Sequence, residues 1–557
     1  MTTKPGLWLG ALIGALLTAP LLAVIALGQR LAGLPFLPSD FFNPVRDFTP
    51  GDLLVFVIQH MVDVIISLNL GRVDQVAKEV ESAMAVGMIF IIGIVSGVVF
   101  FWVFARIERR SLPMAGIIGG LIVGVPMALI SHFFGVTNTI EPRLIGGVWL
   151  VVLFAAWGIA HAWVYGRLSQ GETAKQSLTA DALRLDRRQF LVTLGTASAT
   201  LTVVGAGLNV LLRRDNSAAE DAVAIADAQL PEADLPNAGD PVQPAPGTRP
   251  EITPVEDHYR IDISLIPPVI REETWVLPFV SSLGGSEETL AQFTLDDIKA
   301  YDVTEDFITM SCISNRIAGD LISTTKWTGV SLQKLLADVP LPENAAYLKI
   351  TSADGFDETV SLDLINSDPR IMLAYYWQDR PLTTEHGFPI RIHIPDLYGM
   401  KQPKWITRIE VLSADQDGYW VRRGWDKVAR VRATSVIDTV AVEAAYTLDG
   451  EVRIPVGGIA WAGARGISAV EVRVDDGEWQ PAQLRAPIGD RTWTIWRYDW
   501  QFVEGNHRFA VRCREGSGAP QIEARADVRP MGATGIHSVT ENGLTISGTP
   551  APFPGVN

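Results

Sequence analysis

The sequence predicts a multi-domain chain: an α-helical transmembrane domain, then a mixed α+β domain, then a β-sandwich. Two observations support this order. Long and almost uncharged apolar runs are concentrated before residue 213, whereas short alternating strands separated by turns dominate after residue 429. The 557 residues allow roughly three or four domains at about 150 residues each. Only 19% of the residues are charged, which is below the roughly 25% of an ordinary soluble domain and indicates that part of the chain lies in lipid.

Five apolar runs are long enough to cross the roughly 30 Å of hydrocarbon in a bilayer. A sixth segment, 51–70, carries Asp52 and Asp63, and an interfacial or bundle-buried helix is therefore favoured there over a lipid-facing span. GxxxG pairs at 93–97 and 120–124 predict close helix packing, although such pairs are also frequent by chance in Gly-rich membrane helices. The five runs are 7–28, 83–105, 112–134, 144–165 and 190–212.

Basic loops predict the orientation of the membrane part. The loops 106–110 and 167–188 should be cytoplasmic by the positive-inside rule, so everything after residue 212 should lie on the periplasmic side. If 51–70 also crosses the membrane, only the side on which the amino terminus lies changes. The run 185–191 also resembles a twin-arginine export signal; the alternative is a helix start with Asp186 as N-cap. We expect no cleavage, so that 190–212 acts as an anchor.

Composition divides the chain into six segments. Residues 215–256 are rich in Ala, Pro, Asp and Glu with little periodicity, which predicts an extended acidic tether. After residue 429, short strands with turns between them favour an Ig-like β-sandwich. The predicted segments are a multi-span membrane domain (1–170), a basic motif with an anchor helix (171–214), the acidic linker (215–256), the α+β domain (257–428), the Ig-like domain (429–530) and a tail (531–557).

Charge and cysteine content exclude several classes of function. The 46 basic and 62 acidic side chains give a formal charge of −16, which argues against nucleic acid as a partner. Two cysteines exclude a disulfide framework, an all-cysteine zinc site, a protein-ligated iron–sulfur cluster and a CxxCH haem attachment. Cys513 lies in an apolar strand and is predicted to be a core residue. Cys312 lies in a polar, glycine-bearing segment and is the candidate metal ligand.

The candidate chemistry lies in polar segments of the middle domain. A thiolate at Cys312 is a soft ligand suited to a heavy transition metal, zinc or Cu(I). Cations and a histidine farther along the chain surround glycines and suit an anion such as a phosphate. Each of these residues taken singly is more often an inert core or surface side chain. The candidates for anion binding are His386, Arg391, Lys401 and Lys404.

Taken together and in this order, the segments resemble the sulfite oxidase family of molybdenum-cofactor enzymes. The resemblance runs from about residue 257 to residue 529. Residues 259–262 resemble the segment that opens the domain in bacterial members, and 458–472 resembles the Ig-like dimerisation domain. The motifs that carry the resemblance are Cys312 with Asn315-Arg316, Trp327-Thr328-Gly329, Leu373-Ala374-Tyr375, the His-Gly-Phe-Pro-x-Arg run 386–391, and Lys404-Trp405.

The resemblance implies a cofactor and a set of roles. Cys312 would give its thiolate to molybdenum beside the dithiolene of one pyranopterin, and Arg260 and Trp425 would join it in the catalytic site. The residues implied to hold the pterin and its phosphate are Tyr259, Asn315, Arg316, His386, Arg391, Lys401 and Lys404.

Two positions depart from the family pattern. Trp425 stands where sulfite oxidases have a tyrosine beside the molybdenum oxygen, and Ile317 replaces a second arginine. Both changes weaken a pocket for sulfite. A sulfoxide reductase of the methionine sulfoxide type is therefore the alternative to a sulfite oxidase-like enzyme. The alternative from another class is a non-catalytic, membrane-anchored binding module that keeps the fold. The presence of Cys312 argues against it.

The expected function is oxygen-atom transfer on a small or protein-borne sulfur substrate by a membrane-anchored enzyme. No haem module is recognisable in the soluble half, so the electron partner would be a c-type cytochrome, a quinone-linked membrane protein or the membrane domain itself. His60, His132 and His161 are candidates for haem b. The five-span topology places His132 near the outer face and His161 nearer the inner face, which disfavours a haem shared by those two and leaves His60 with His132 possible; structural roles are favoured for all three. A homodimer is left open.

Overall fold

The computed structural model describes residues 5–135, 143–169, 180–216, 232–546 and 551–552. Two compact units divide the chain. The side chains of 180–187, which include the first arginine of the predicted export motif, lie outside the described part, as do residues 217–231 of the predicted tether. The first unit comprises Met1–Val62, Gln75–Ala222 and Ser264–Ile270, and the second comprises Asp63–Asp74, Val223–Ile263 and Arg271–Asn557.

The first unit is built from helices. Five of the described helices are long and apolar enough to cross a membrane, at the positions that the sequence predicts. The third helix has only 17 residues and is not among them. The helices are α1 (Leu7–Ala32), α2 (Leu37–Phe48), α3 (Gly51–Ser67), α4 (Val73–Phe104), α5 (Leu112–Phe134), α6 (Arg143–Ser169) and α7 (Ala180–Asn216).

Glycines let these helices approach closely. A Cβ atom at Gly97 of α4 would collide with the carbonyl oxygen of Gly10 in α1. In the same way, a Cβ atom at Gly120 of α5 would collide with the carbonyl oxygen of Phe154 in α6. Both GxxxG pairs therefore lie at helix contacts, as predicted, and any larger residue would force the backbones apart.

Two of the three histidines considered for haem are bonded to their own helices. His161 is fully buried, and its Nδ1 donates to the carbonyl of Trp157 at 2.9 Å. Its ring packs against those of Phe100 and Trp157, with centroids 5.2 and 4.3 Å away. His60 donates from Nδ1 to the carbonyl of Phe56 at 2.9 Å. These contacts support the structural role that the sequence favours.

Two five-stranded sheets form the α+β part of the second unit. In one, the order is β2-β1-β10-β5-β6, with β1 and β10 parallel; in the other it is β3-β4-β7-β8, with β9 pairing to β7. Three short helices are α8 (Leu295–Lys299), α9 (Leu332–Leu336) and α10 (Leu362–Ser367). The strands are β1 (Leu277–Ser281), β2 (Glu288–Phe293), β3 (Val303–Ser311), β4 (Ile322–Ser331), β5 (Tyr347–Ser352), β6 (Asp357–Ser361), β7 (Met372–Trp377), β8 (Arg380–Pro381), β9 (Arg391–His393) and β10 (Ile406–Leu412).

The remaining strands form two sheets that share one buried core. One has the order β16-β17-β13-β12-β20 with β11 on β13, and the other has the order β15-β14-β18-β19. Ile454 and Trp496 from the first sheet pack with Val472 and Phe509 from the second. The strands are β11 (Thr434–Val440), β12 (Tyr446–Leu448), β13 (Glu451–Trp461), β14 (Ile467–Val474), β15 (Gln480–Pro481), β16 (Gln483–Leu484), β17 (Thr494–Gln501), β18 (Gly505–Glu515), β19 (His537–Leu544) and β20 (Ala551–Pro552).

The carboxy-terminal part of the predicted tether is packed rather than extended. Glu251 is buried and accepts from Nε of the buried Arg485 at 2.8 Å and from Nδ2 of Asn237 at 2.7 Å. Arg249 forms a second ion pair with Asp438 at 2.6 Å. A buried carboxylate is costly unless it is paired, and this network supplies the partners. The segment therefore belongs to the second unit as folded structure.

Candidate active site

Cys312 lies at the end of β3, on a loop that returns the chain into β4. Its backbone N–H donates to the carbonyl of Leu321 at 3.0 Å, and its carbonyl accepts from the N–H of Asn315 at 3.0 Å. The side chain of Asn315 accepts from the N–H of Leu321 at 3.1 Å, and Gly319 leaves room for that side chain, since a Cβ there would collide with its Oδ1. Asn315 thus closes the loop that holds Cys312 in place.

The two cysteines have different surroundings. Cys312 is 7% exposed, and its Sγ lies 3.0 Å from Oγ of Ser314. Burial raises the pKa of its thiol, while hydrogen bonds from Ser314 and from the backbone of Ile313 oppose that rise. Cys513 lies in the core of the last two sheets, as predicted, and burial raises its pKa to about 12.

Buried rings lie beside Cys312. The imidazole of His386 packs 4.5 Å from the ring of Trp377 and 5.2 Å from that of His258, measured between centroids. Burial lowers the pKa of His258 to about 3 and that of His386 well below its usual value, with the charges of neighbouring cations adding to the effect. Both imidazoles are therefore neutral at pH 7. The rings of this group belong to His258, Tyr259, Trp327, Trp377 and His386.

Arg391 brings a buried cation to the same place. It is 6% exposed, its Nη1 donates to the carbonyl of His386 at 3.1 Å, and its guanidinium lies 4.9 Å from the ring centroid of Trp327. Burial lowers its pKa to about 10. Among the described residues, no carboxylate forms an ion pair with it. A buried guanidinium without a carboxylate is expensive, which favours an anion from outside the protein as its partner.

Lys404 is the second buried cation, and it shares a carboxylate with Arg260. Its Nζ donates to Asp262 at 3.1 Å and to the carbonyl of Glu385 at 3.0 Å. Nε of Arg260 lies 3.0 Å from the same Asp262. Burial and the nearby guanidinium groups lower the pKa of Lys404 to about 8, although Asp262 opposes this shift.

Gly387 allows the two cations to meet. Its φ is +116°, and a Cβ atom there would lie 3.2 Å from Cβ of both Arg391 and Lys404. A side chain at this position would therefore be strained and would press on both cations. The glycine in the 386–391 run is explained by this close approach.

Two of the predicted site residues, Lys401 and Arg316, are paired with carboxylates outside the ring group, and a third, Trp425, has a different environment. Lys401 is buried with Glu358, with Nζ 2.6 Å from the carboxylate. Arg316 is paired at 2.5 Å with Asp63, and a third of its side chain is exposed. Trp425 packs in the buried cluster that also contains Ile313, next to Cys312, and no partner of its indole N–H is found among the described residues.

Residues 63–74 form part of the second unit and bond to this region. The carboxylate of Asp74 accepts from the backbone N–H of Arg260 at 2.9 Å, and Arg72 is paired with Asp257 at 2.9 Å. Asp320 accepts from the N–H of Val73 at 3.0 Å. Carboxylates of this segment thus lie next to Arg260 and Arg316.

The residues fit a pterin cofactor that carries an anionic group and a soft metal. Three buried donor or acceptor atoms near Cys312 have no hydrogen-bond partner among the described residues: Nε of Arg391, Nε2 of His258 and Nε1 of Trp327. Buried polar atoms are normally satisfied, so such a group is expected to serve a ligand. A cysteine sulfur, a neutral imidazole and two buried cations, of which Arg391 has no carboxylate partner among the described residues, match a metal, a heterocycle and a phosphate in turn.

Sequence reasoning missed two residues of this site. His258 is fully enclosed by the ring group, and Asp262 holds both Arg260 and Lys404. The signal for both is their place in the 257–262 segment, in which the resemblance singles out Tyr259 and Arg260. A lone histidine or aspartate carries no pattern of its own, and the rings that enclose His258 belong to Trp327 and Trp377, more than 60 positions away along the chain.

Comparisons with known proteins agree with this site. Residues 264–420 match the model of the oxidoreductase molybdopterin binding domain. Mitochondrial sulfite oxidase of Rattus norvegicus is 30% identical over 276 residues, which cover 41% of this chain and 50% of the relative. The human enzyme is 28% identical over 291 residues, which cover 44% and 53%. The crystal structure of the sulfane dehydrogenase SoxCD from Paracoccus pantotrophus has 18% identity and a TM-score of 0.42, covering 51% of this chain and 81% of that one. The chain spans about half the length of the curated sulfite oxidases that it matches.

Proposed function

We propose, from the premise that residues 264–420 form an oxidoreductase molybdopterin-binding domain of the sulfite oxidase family, that this chain is a membrane-anchored enzyme that moves an oxygen atom on or off a sulfur substrate. The observation that carries the proposal is the buried cluster of Cys312 and Trp327, because the unpaired Nε donor of Arg391 and the unpaired Nε2 acceptor of His258 both lie against the ring of Trp327. When bound, the cofactor supplies two-electron oxygen-atom transfer between water and sulfur.

The chain's own residues bind and orient the cofactor. Cys312 would ligate molybdenum, and the loop closure by Asn315 fixes the direction of its sulfur. Arg391 and Lys404 would hold the phosphate of the pterin as charge-assisted hydrogen-bond donors. Burial keeps both imidazoles neutral. His386 could donate one hydrogen bond to the heterocycle and accept another, whereas Nδ1 of His258 donates to the carbonyl of Tyr259 and leaves Nε2 as an acceptor. The buried aromatic rings around them would exclude water from the pterin.

An uncharged sulfur substrate is the second candidate, and the ion pairs that already neutralise two predicted site arginines favour it. Arg316 is paired with Asp63, and Arg260 is paired with Asp262. Trp425 contributes an indole, which can donate a hydrogen bond but has no oxygen to accept one. Little positive charge is thus left over to stabilise a doubly charged oxyanion such as sulfite, whose desolvation is costly. A sulfoxide such as dimethyl sulfoxide meets no such penalty.

We expect purified protein to contain about one molybdenum per chain, because a soft thiolate lies amid anion-binding residues.

The ratio of kcat/KM for sulfite to that for dimethyl sulfoxide, each in its own redox direction with an artificial mediator, should be low in the wild type. Trp425→Tyr should raise that ratio by roughly tenfold, which is about 1.4 kcal/mol of differential transition-state binding.

The matched control is Trp420→Tyr. Trp420 belongs to the same cluster, with its ring centroid 6.5 Å from that of Trp425. This variant makes the same chemical change and should leave the ratio unaltered. Absence of molybdenum from the wild type would contradict the proposed function. Efficient sulfite oxidation by the wild type, or equal ratios in all three proteins, would show that Trp425 does not select the substrate.

We further propose that the second unit works outside the cytoplasm and passes electrons to a c-type cytochrome or a quinone-linked membrane protein. The support is the positive charge of 106–110 and 167–188. A reporter enzyme active only in the cytoplasm should give no signal when fused after Asn557. The same reporter inserted after residue 170 should be active, which controls for expression. A strong signal from the Asn557 fusion would contradict this sidedness.

A further inference from the structure

The loop after β3 surrounds the sulfur of Cys312 with hydrogen-bond donors. The turn is closed by the bond from the N–H of Asn315 to the carbonyl of Cys312 at 3.0 Å, which places Ile313 and Ser314 at its two central positions. The backbone N–H groups of Ile313 and Ser314 both approach Sγ, and Oγ of Ser314 lies 3.0 Å from it. Of these donors, only the serine hydroxyl can be removed by mutation without changing the backbone.

We infer that Ser314 is a positioning residue whose hydroxyl donates a hydrogen bond to the metal-bound sulfur of Cys312 and thereby raises the reduction potential of the site. The inference rests on the proposed function, because it requires that Cys312 ligate a redox metal. The family motif, a cysteine followed closely by Asn-Arg, does not name Ser314.

The direction of the effect follows from charge. A thiolate is an acceptor only, so the hydroxyl must donate once the sulfur is bound to metal. Reduction adds electron density to the metal and its ligands, and a donor at the sulfur stabilises that density. The reduced state is favoured, and the potential rises. Because Cys312 is buried, water does not replace the bond when the hydroxyl is lost.

A neighbouring serine provides a matched control. Ser311 also flanks Cys312, but its hydroxyl donates to backbone carbonyls, those of Cys312 at 3.2 Å and Leu321 at 3.3 Å, and not to the sulfur. Ser311→Ala and Ser314→Ala therefore remove the same group from the same loop. Only the second removes a bond to Sγ. Ser314→Thr keeps the hydroxyl, and Ser314→Val has nearly the same shape without it.

The first measurement is a redox titration of the full-length holoprotein in detergent, monitored through the electron paramagnetic resonance signal of Mo(V). We expect Ser314→Ala and Ser314→Val to shift the one-electron equilibrium roughly tenfold toward the oxidised metal, a fall of about 59 mV in potential. Ser314→Thr and Ser311→Ala should keep the wild-type potential. Equal potentials in Ser314→Thr and Ser314→Val, both loaded with molybdenum, would overturn the inference.

The second measurement needs no metal. In a Cys513→Ser background Cys312 is the only cysteine of the chain, so the infrared S–H stretching band reports its hydrogen bonding alone. In cofactor-free protein we expect Ser314→Ala to shift this band and Ser311→Ala to leave it in place. An unmoved band would overturn the Ser314 contact even if molybdenum and activity are present. A wild type without molybdenum, by contrast, would overturn the proposed function and with it the effect on potential.

Discussion

Replacing Cys312 with serine is expected to abolish turnover, with a loss of at least about 1,000-fold in kcat, or roughly 4 kcal/mol of transition-state stabilisation. A serine hydroxyl is a hard donor that stays protonated near neutral pH, so it cannot replace a thiolate as ligand to a soft metal. The fold should survive, because the smaller hydroxyl can take over the contact with Ser314. The pterin should also be retained, since Arg391 and Lys404 are unchanged. The measurements are turnover, molybdenum and pterin content, and the melting temperature.

Cys513→Ser is the matched control for this variant. Its Sγ lies 3.6 Å from the carbonyl of Thr434 in the core of the last two sheets, so a serine there can donate to the same acceptor. Activity and molybdenum content should stay at wild-type levels. Wild-type activity in Cys312→Ser would refute the assignment of the metal ligand. Loss of both pterin and melting transition in that variant would assign Cys312 a structural role instead.

The sequence predicts this fold best where a local pattern is enough. The apolar runs predict five long helices because hydrocarbon thickness sets a minimum length, and the structure has those helices. The packed segment that contains Asn237 and Glu251 shows the opposite case. Its composition resembles a tether, yet Glu251 is paired with Arg485, 234 positions away. Composition records which residues are present and carries no information about a partner that far along the chain.

The candidate site divides in the same way. Cys312, His386, Arg391 and Lys404 could be found because ordered motifs mark them, and the structure brings the last three together. Lys401 is predicted to bind the same anion because it lies close to these residues in the sequence. In the structure, the short 3₁₀ turn at Gly399–Lys401 places its ammonium group next to Glu358. His258 could not be found by pattern, since its role arises only where strands from distant segments enclose it.

Lys404→Met is expected to weaken retention of the cofactor by roughly 10- to 150-fold, the effect of losing a charge-assisted hydrogen bond of about 1.5–3 kcal/mol. Methionine fills a similar volume, and Asp262 keeps Arg260 as its partner at 3.0 Å, so no carboxylate is stranded. Lys334→Met makes the same change at an exposed lysine that is paired with Asp302, and it should have no effect. Pterin and molybdenum content after dialysis measure the loss.

The pH dependence of cofactor retention is a second test of Lys404, because the direction of the change can be predicted. Burial lowers the pKa of Lys404 to about 8 in the free protein, and an anionic phosphate raises it again by stabilising the ammonium form. Binding therefore takes up a proton as the pH approaches and passes 8, so retention should be nearly constant up to about pH 7 and should fall as the pH rises through 8. Over this range the phosphate stays a dianion, since its second pKa is about 6. Lys404→Met should remove the fall between pH 7 and 9, a range that lies below the pKa of about 10 of Arg391. A profile that still declines in this range in the variant would assign the titration to another group.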